Sequence, residues 1–392
     1  MPVLNRIAAF HADMTAWRRD LHANPELGLQ EKRTSALVHG LLTEFGVDEV
    51  VTGLARTGVV GVIRGRGTGD RAIGLRADMD ALPIEEATGL SHASRNPGVM
   101  HACGHDGHTA MLLGAARYLA ETRNFDGTVY VIFQPAEEGA GGADLMVREG
   151  LFTRFPMERV FGLHNWPSVA AGTFTCCEGP MMAAVAVIEI TVTGKGAHGA
   201  HPDHGIDPVV VAAQIVTALQ SIVARNLDAL DSGVVTIGHI IGGQGFNVIP
   251  ESVFMKGTAR WFKPETGDLL EAGVRRLATG IAASFGAAAE VNFLRIVPAT
   301  VNDPEATELA RRAARAVAGD AHVIPMAAPT MGGEDFAFML NAKQGNYIWL
   351  GAARGPHDPM VHHPAYDFND EILPVGASYW ATLAEQLLPR EG

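Results

Sequence analysis

Cysteine is scarce in this chain: Cys103, Cys176 and Cys177 are the only three in 392 residues. An odd number, with two of the three adjacent, makes no disulfide framework. The adjacent pair reads as ordinary core or strand residues. Basic residues are also in deficit, 30 Lys and Arg against 43 Asp and Glu, for a net charge of −13. A phosphate backbone or an anionic membrane would repel such a chain, and no basic block argues otherwise, so nucleic acid is excluded as an expected partner. The acidity serves solubility. No uninterrupted apolar run approaches the ~20 residues of a bilayer span. The first 22 residues are not a signal peptide, because Ile7, Phe10, Met14, Trp17 and Leu21 recur at helical spacing with charges between them. These absences predict a soluble, cytoplasmic protein with no membrane partner.

What is present is a globular composition, 47% hydrophobic and 19% charged. The length predicts two or three domains at about 150 residues each. Residues 58–65, 72–76, 128–133 and 159–163 read as strands. Residues 109–122 read as a helix with Met111, Leu112, Ala115, Ala116 and Leu119 on one side. Such alternation implies an α/β sheet with helices on its faces. The pattern then changes. A strand at 185–193 precedes a helix at 208–226, opened by Asp207 as N-cap and Pro208 after it. Strands at 234–241 and 253–261, a helix at 268–285 and a strand at 289–296 follow. The order β-α-β-β-α-β is that of a ferredoxin-like sandwich. After Pro298 come helices at 305–317 and 336–340, a strand at 347–350 and a last helix at 372–388. The expected fold is a large α/β domain, residues 1–185 and 299–392, carrying an inserted α+β domain, residues 186–298.

Residues 101–108, His-Ala-Cys-Gly-His-Asp-Gly-His, pack three imidazoles, a thiol and a carboxylate into eight positions. Thiolate and neutral imidazole are strong ligands for a borderline-soft divalent ion. In a turn, Cys103 and His105 can converge on one ion; the plainer alternative is a buried thiol beside a surface histidine. His101, Asp106 and His108 crowd the same loop as partners that would orient ligands. Glu137 and Glu138 follow the strand at 128–133, where open α/β sheets place their sites. Adjacent carboxylates repel unless a cation lies between them or one is protonated. One would bind metal while its neighbour handles a proton; the alternative is a solvated acidic turn. His164 ends another strand-like run, and His362 and His363 pair near the C-terminus. Each alone favours a structural histidine. Together these groups supply S, N and O donors for two ions about 3.5–4 Å apart, a spacing that shares a water, lowers its pKa and clamps the tetrahedral intermediate of acyl transfer.

The stretches 76–83 (Arg-Ala-Asp-Met-Asp-Ala-Leu-Pro), 100–108, 135–139, 162–167, 194–198, 361–364 and 366–370 occur in an order that resembles the metal-dependent amidohydrolases of N-acyl amino acids. That family includes the hippurate hydrolases and the auxin–amino acid conjugate hydrolases, within the wider aminoacylase and glutamate-carboxypeptidase group. The resemblance implies a zinc-peptidase-like catalytic domain with a central mixed sheet, and an inserted ferredoxin-like dimerisation domain. It implies Cys103, His105, Glu138, His164 and His362 as ligands of two divalent ions. Glu137 becomes the general base that takes a proton from the attacking water and returns it to the leaving amine. Wider relatives use a His-x-Asp motif and a bridging Asp; here Arg76 and Asp78 stand at that place with Cys103 nearby, which leaves the bridging ligand open. Thiolate favours zinc, the resemblance also allows manganese, and cobalt or nickel are further candidates. Asp78 would align a histidine. His198, in Gly194-Lys195-Gly196-Ala197-His198, resembles a residue that reaches the partner subunit's site in a homodimer and stabilises the oxyanion. His201 and His204 read as loop residues. Asn247 and Arg260 match substrate-binding positions, the guanidinium suiting a free carboxylate; a solvated strand charge is the alternative for Arg260. Gly333, in Gly332-Gly333-Glu334-Asp335, matches a substrate loop. The implied reaction cleaves hippurate-like N-acyl-L-amino acids to a carboxylic acid and a free amino acid. A dipeptidase or carboxypeptidase with the same metals, and a non-catalytic metal- or ligand-binding protein, are the alternatives.

Overall fold

A computed structural model describes residues 4–390. It divides into two compact units, Met1–Met181 with Thr300–Pro329 and Asp335–Gly392, and Met182–Ala299 with Thr330–Glu334. The second unit thus begins a few residues before 186 and includes a short segment, 330–334, that no periodicity marks.

The first unit is built on an eight-stranded mixed sheet. Its spatial order is Glu49–Leu54, Gly58–Arg64, Thr128–Gln134, Ala72–Asp78, Arg159–Ala170, Gly345–Ala353, Phe174–Cys176, Val323–Pro325. The Ala72–Asp78 strand pairs in parallel with Thr128–Gln134 and Arg159–Ala170, and the latter in parallel with Gly345–Ala353. Ala72–Asp78 is buried along its whole length, as parallel strands covered on both faces must be. The helix His105–Thr122 packs on Ala72–Asp78 and Gly58–Arg64, and against helices His11–Ala23 and Leu373–Leu387. Its small and apolar residues between Ala110 and Ala120 are almost wholly buried, which lets the flanking helices approach.

This helix starts four residues before the predicted one. His105, Asp106 and His108 therefore occupy its first turn, not a loop. Gly104 precedes it at φ 94, and a Cβ there would lie 2.2 Å from Asn165 Oδ1 and 2.7 Å from Tyr366 Oη. Only glycine fits both the backbone and the space. The strand holding His164 is also longer than predicted, so His164 lies within a strand. Cys176 ends the short strand Phe174–Cys176 and is buried, whereas Cys177 is half-buried outside it.

The second unit is a four-stranded antiparallel sheet, order Gly233–Gly242, Ser252–Trp261, Ala184–Thr193, Ala288–Val297. Helices Pro208–Ser221 and Pro264–Ser284 bury Val211, Ile215, Leu219, Leu270, Val274 and Ala278 in its core. The element order is the ferredoxin-like one. Asp207 caps the first helix by accepting from Val209 N and Val210 N. The predicted helix at 208–226 ends as α-helix at Ser221 and continues as a π-turn over Ile222–Asn226. By length and composition, Pro208–Asn226 is apolar enough to cross a membrane, a length that counting uninterrupted apolar runs passes over. Its Val211, Ala212, Ile215, Leu219 and Ile222 instead pack into the core of the sheet.

Candidate metal centre

The parallel strands Ala72–Asp78, Thr128–Gln134 and Arg159–Ala170 direct their carboxyl ends to one edge of the first unit's sheet, where open α/β sheets place sites. Three groups of donors gather there. One ligand atom each from Cys103, His105 and His164 lies within 4.8 Å of the others; the same holds for Cys103, Glu138 and His362, and for His105, Glu137 and Glu138. The five expected ligands and Glu137 are thus brought together, and Cys103 belongs to two groups. Cys103 Sγ is 3.3 Å from His164 Nε2, and Glu138 Oε1 is 3.1 Å from His362 Nε2.

Hydrogen bonds outside the donor set fix its orientation. His105 Nδ1 faces Asp80 O at 2.9 Å and Asp80 Oδ1 at 3.2 Å, which turns Nε2 toward the other donors. Asp80 Oδ2 also accepts from Glu138 N at 2.9 Å, so a single carboxylate steers two ligands. His164 Nδ1 donates to Asn165 O at 2.6 Å, leaving the Nε2 lone pair on the Cys103 side. Ala136 and His362 hold φ angles of 58° and 67°. Left-handed backbone in a residue with a Cβ costs on the order of 1–3 kcal/mol and gathers at functional sites.

The electrostatics call for positive charge. Burial and the carboxylates of Glu138, Glu137 and Asp78 push the Cys103 thiol well above its ordinary value. Burial alone would lower His105, but Asp78, Asp80 and Glu138 outweigh it and lift the imidazole to about 10. Burial, with His108 and His105 adding to it, drops His164 well below the usual range, so it is neutral. His105 Nε2 is buried without a hydrogen-bond partner, and the buried Glu138 Oε1 faces His362 Nε2 at 3.1 Å. Divalent cations would ligate both atoms and replace the two protons that the carboxylates hold in place. The donors therefore fit two divalent metals.

Asp78 meets a histidine, and that histidine is His108. Its Oδ1 lies 2.6 Å from His108 Nδ1 and its Oδ2 accepts from Arg76 Nη1 at 2.7 Å, while His105 Nε2 is 3.8 Å away. It aligns His108, and Asp80 aligns the ligand histidine. Burial raises Asp78, but His105, Arg76 and His108 hold it well below the usual carboxylate range. His108 Nε2 in turn lies 2.6 Å from Asn165 Oδ1, and Asn165 Nδ2 donates to Tyr366 Oη. Asp106 accepts from the buried Arg18 at 2.9 Å and faces His22 at 2.8 Å, anchoring the helix that carries His105. His101, expected to orient a ligand, has both ring nitrogens unpaired and is lowered to about 4 by burial. It packs and orients nothing. Asp80 was the missed residue; its signal was the Asp-x-Asp spacing with Asp78, which points both side chains to one side of an extended segment.

The remaining predicted residues lie in the second unit. His198 is exposed on Ala197–His198, paired with Val248–Ile249, and its Nδ1 accepts from Ala200 N at 3.0 Å. Asn247 is exposed, and its carbonyl accepts from Gly199 N. Arg260 is half-buried and donates to Thr258 Oγ1 at 2.6 Å; among the described residues it has no ion pair. At Gly333 a Cβ would come within 2.5 Å of Val185 Cγ2.

Comparison with known proteins agrees with the geometry. The family model described as Peptidase family M20/M25/M40 matches residues 74–386. The chain is 41% identical to a hippurate hydrolase of Campylobacter jejuni, over 99% of this chain and 100% of that one. It is 40% identical to the IAA-amino acid hydrolase ILR1-like 4 of Arabidopsis thaliana, over 96% of this chain and 86% of that one. The crystal structure of the Bacillus subtilis YXEP protein, described as a dinuclear metal binding peptidase from the M20 family, superposes with a TM-score of 0.83 at 38% identity, covering 97% of this chain and 99% of that one. With the match running through the donor residues and on into the last helix, the chain belongs to peptidase family M20/M25/M40 and is a metal-dependent amidohydrolase.

Proposed function

We propose that this enzyme hydrolyses the amide bond of N-acyl-L-amino acids of the hippurate type. The observation that carries the reading is Glu137, a carboxylate within 4.8 Å of ligand atoms of His105 and Glu138 but outside both Cys103-sharing groups. Cys103, His105, Glu138, His164 and His362 would hold two divalent ions, whose Lewis acidity would supply a nucleophilic water near neutral pH. Glu137 takes one proton from the attacking water. The oxygen bonds to the acyl carbon, the C–N bond breaks, and Glu137 returns the proton to the departing nitrogen. The products are a carboxylic acid and a free amino acid. Cys103, which belongs to both groups, would bind as thiolate, and a soft thiolate donor favours zinc; manganese, cobalt and nickel suit the imidazole and carboxylate donors.

The second unit is assigned to substrate binding and to a homodimer. Arg260, with no carboxylate partner among the described residues, is suited to the substrate's free carboxylate, with Asn247 and Gly333 in the same role. His198 accepts at Nδ1, so the neutral ring carries its proton on Nε2, the tautomer that donates to an oxyanion in a partner's site. The edge strand Gly233–Gly242 has Ile240 and Ile241 more than half exposed, beside Val209 and Val210 at nearly half. A second copy on that edge would cover them. The three free thiols, one of them a ligand, suit the reducing cytoplasm.

The test is a substrate panel on the metal-reconstituted enzyme: hippurate, an indole-3-acetyl amino acid and unblocked dipeptides. Faster turnover of the dipeptides would replace the reading with a dipeptidase.

A further inference from the structure

Glu31 lies outside every stretch singled out in the sequence. It is fully buried at the start of the helix Lys32–Glu44. Its carboxylate reaches across to the site's turn: Oε1 accepts from Ala136 N at 2.9 Å, and Oε2 accepts from Thr57 Oγ1 at 2.6 Å. Ala136 is the left-handed residue at φ 58 immediately before Glu137. The loop before Glu31 also packs on this turn, since a Cβ at Gly28 would come within 3.1 Å of Ala136 Cα and Cβ. Glu138 has its own hold, the bond from its N–H to Asp80 Oδ2. The two adjacent glutamates are thus anchored differently: Glu137 through the preceding residue and by Oε1, which accepts from Asp335 N at 3.4 Å, and Glu138 through its own N–H.

We infer that Glu31 is a positioning residue for the proton-transfer step: it keeps Ala136 left-handed and so aims the Glu137 carboxylate, while Asp80 independently aims the ligand Glu138. The inference rests on Glu137 being the general base. An alanine turn released from Glu31 relaxes toward the right-handed or extended backbone that residues with a Cβ prefer. That rotates the Cα–Cβ bond of the next residue and displaces its carboxylate. A displacement near 1 Å at a reacting group lowers turnover on the order of 100-fold. Glycine takes positive φ without penalty, so Ala136→Gly makes the hold less necessary.

The experiment uses the full-length, metal-loaded enzyme with hippurate as probe, reading kcat, KM and bound metal per subunit. Glu31→Ala is expected to lower kcat by roughly 30- to 100-fold, with KM changed by less than about threefold and the metal content of the parent enzyme. Glu31→Gln still accepts from Ala136 N and can donate to Thr57 Oγ1, so it restores kcat to within about threefold of the parent. Glu31→Ala combined with Ala136→Gly regains at least about tenfold of the lost kcat. Should Glu31→Ala fail to fold, Thr57→Val removes one hydrogen bond to Glu31 at constant shape and lowers kcat in the same sense with metal retained. An unchanged kcat in a folded Glu31→Ala overturns the inference. Loss of metal in step with kcat overturns it too, because Glu31 would then hold a ligand and not the base. Glu137→Gln is measured in parallel. If it keeps full activity, the general-base reading falls and this inference with it; if it is inactive while Glu31→Ala is not impaired, only this inference falls.

Discussion

Filling the metal centre displaces protons, and their number follows from the structure. At pH 8 the Cys103 thiol is protonated, because burial and Glu138, Glu137 and Asp78 hold it well above its ordinary value. His105, lifted to about 10 against the opposing effect of burial, is protonated as well. His164 is already neutral and Asp78 already ionised, so neither releases a proton. A ligand thiolate and a ligand imidazole must both lose their protons. Metal uptake at pH 8 therefore releases about two protons per subunit, and the apparent overall affinity rises about 100-fold per pH unit there. The sign is fixed: raised pKa values make protons compete more strongly, so affinity falls as pH falls. Calorimetric titration of the apo-protein in buffers of differing ionisation enthalpy reads the count directly. Cys103→Ser should release about one proton, since a serine hydroxyl ligates without ionising in this range. Release near zero in the parent protein would refute the reasoning, because it would mean that the carboxylates do not hold the donors protonated.

Other outcomes follow from single contacts. Asp80→Ala frees Glu138 N and leaves His105 Nδ1 with the backbone carbonyl alone, and should weaken metal binding by about 10-fold in competition with a chelator. Gly104→Ala forces a Cβ against Asn165 Oδ1 at a φ of 94°, and should destabilise the protein by roughly 2–5 kcal/mol in denaturant unfolding. Ile241→Glu, a charge on the exposed edge strand, should shift sedimentation from dimer to monomer; an unshifted dimer would place the interface elsewhere.

The legible parts of the fold were those with their own periodicity. The run Thr-Val-Tyr-Val-Ile-Phe at 128–133 could only be a buried strand, and the four main strands and two α-helices of the second unit are each long enough to show their repeat. The strand Glu49–Leu54 and the short strands Phe174–Cys176 and Val323–Pro325 offer too few residues or too little alternation. The first turn of the helix carrying His105 reads as loop in the sequence because its residues are polar. They are buried all the same, since Arg18 and His22 meet Asp106, and Asp78 meets His108. The donors were legible because metal ligands are chemically conspicuous. Asp80 and Glu31 were harder to see, because each acts on a backbone N–H that lies 58 or 105 positions away in sequence, and a backbone amide leaves no trace in residue identity.

The most direct measurement is turnover of hippurate by the metal-reconstituted enzyme beside its Glu137→Gln variant, with metal content checked in both. Equal molar release of benzoate and glycine by the parent enzyme, with kcat lower by at least about 100-fold in the variant at unchanged metal content, is the expected result. A Glu137→Gln enzyme that binds its metals and turns over hippurate at the parent rate would contradict the account.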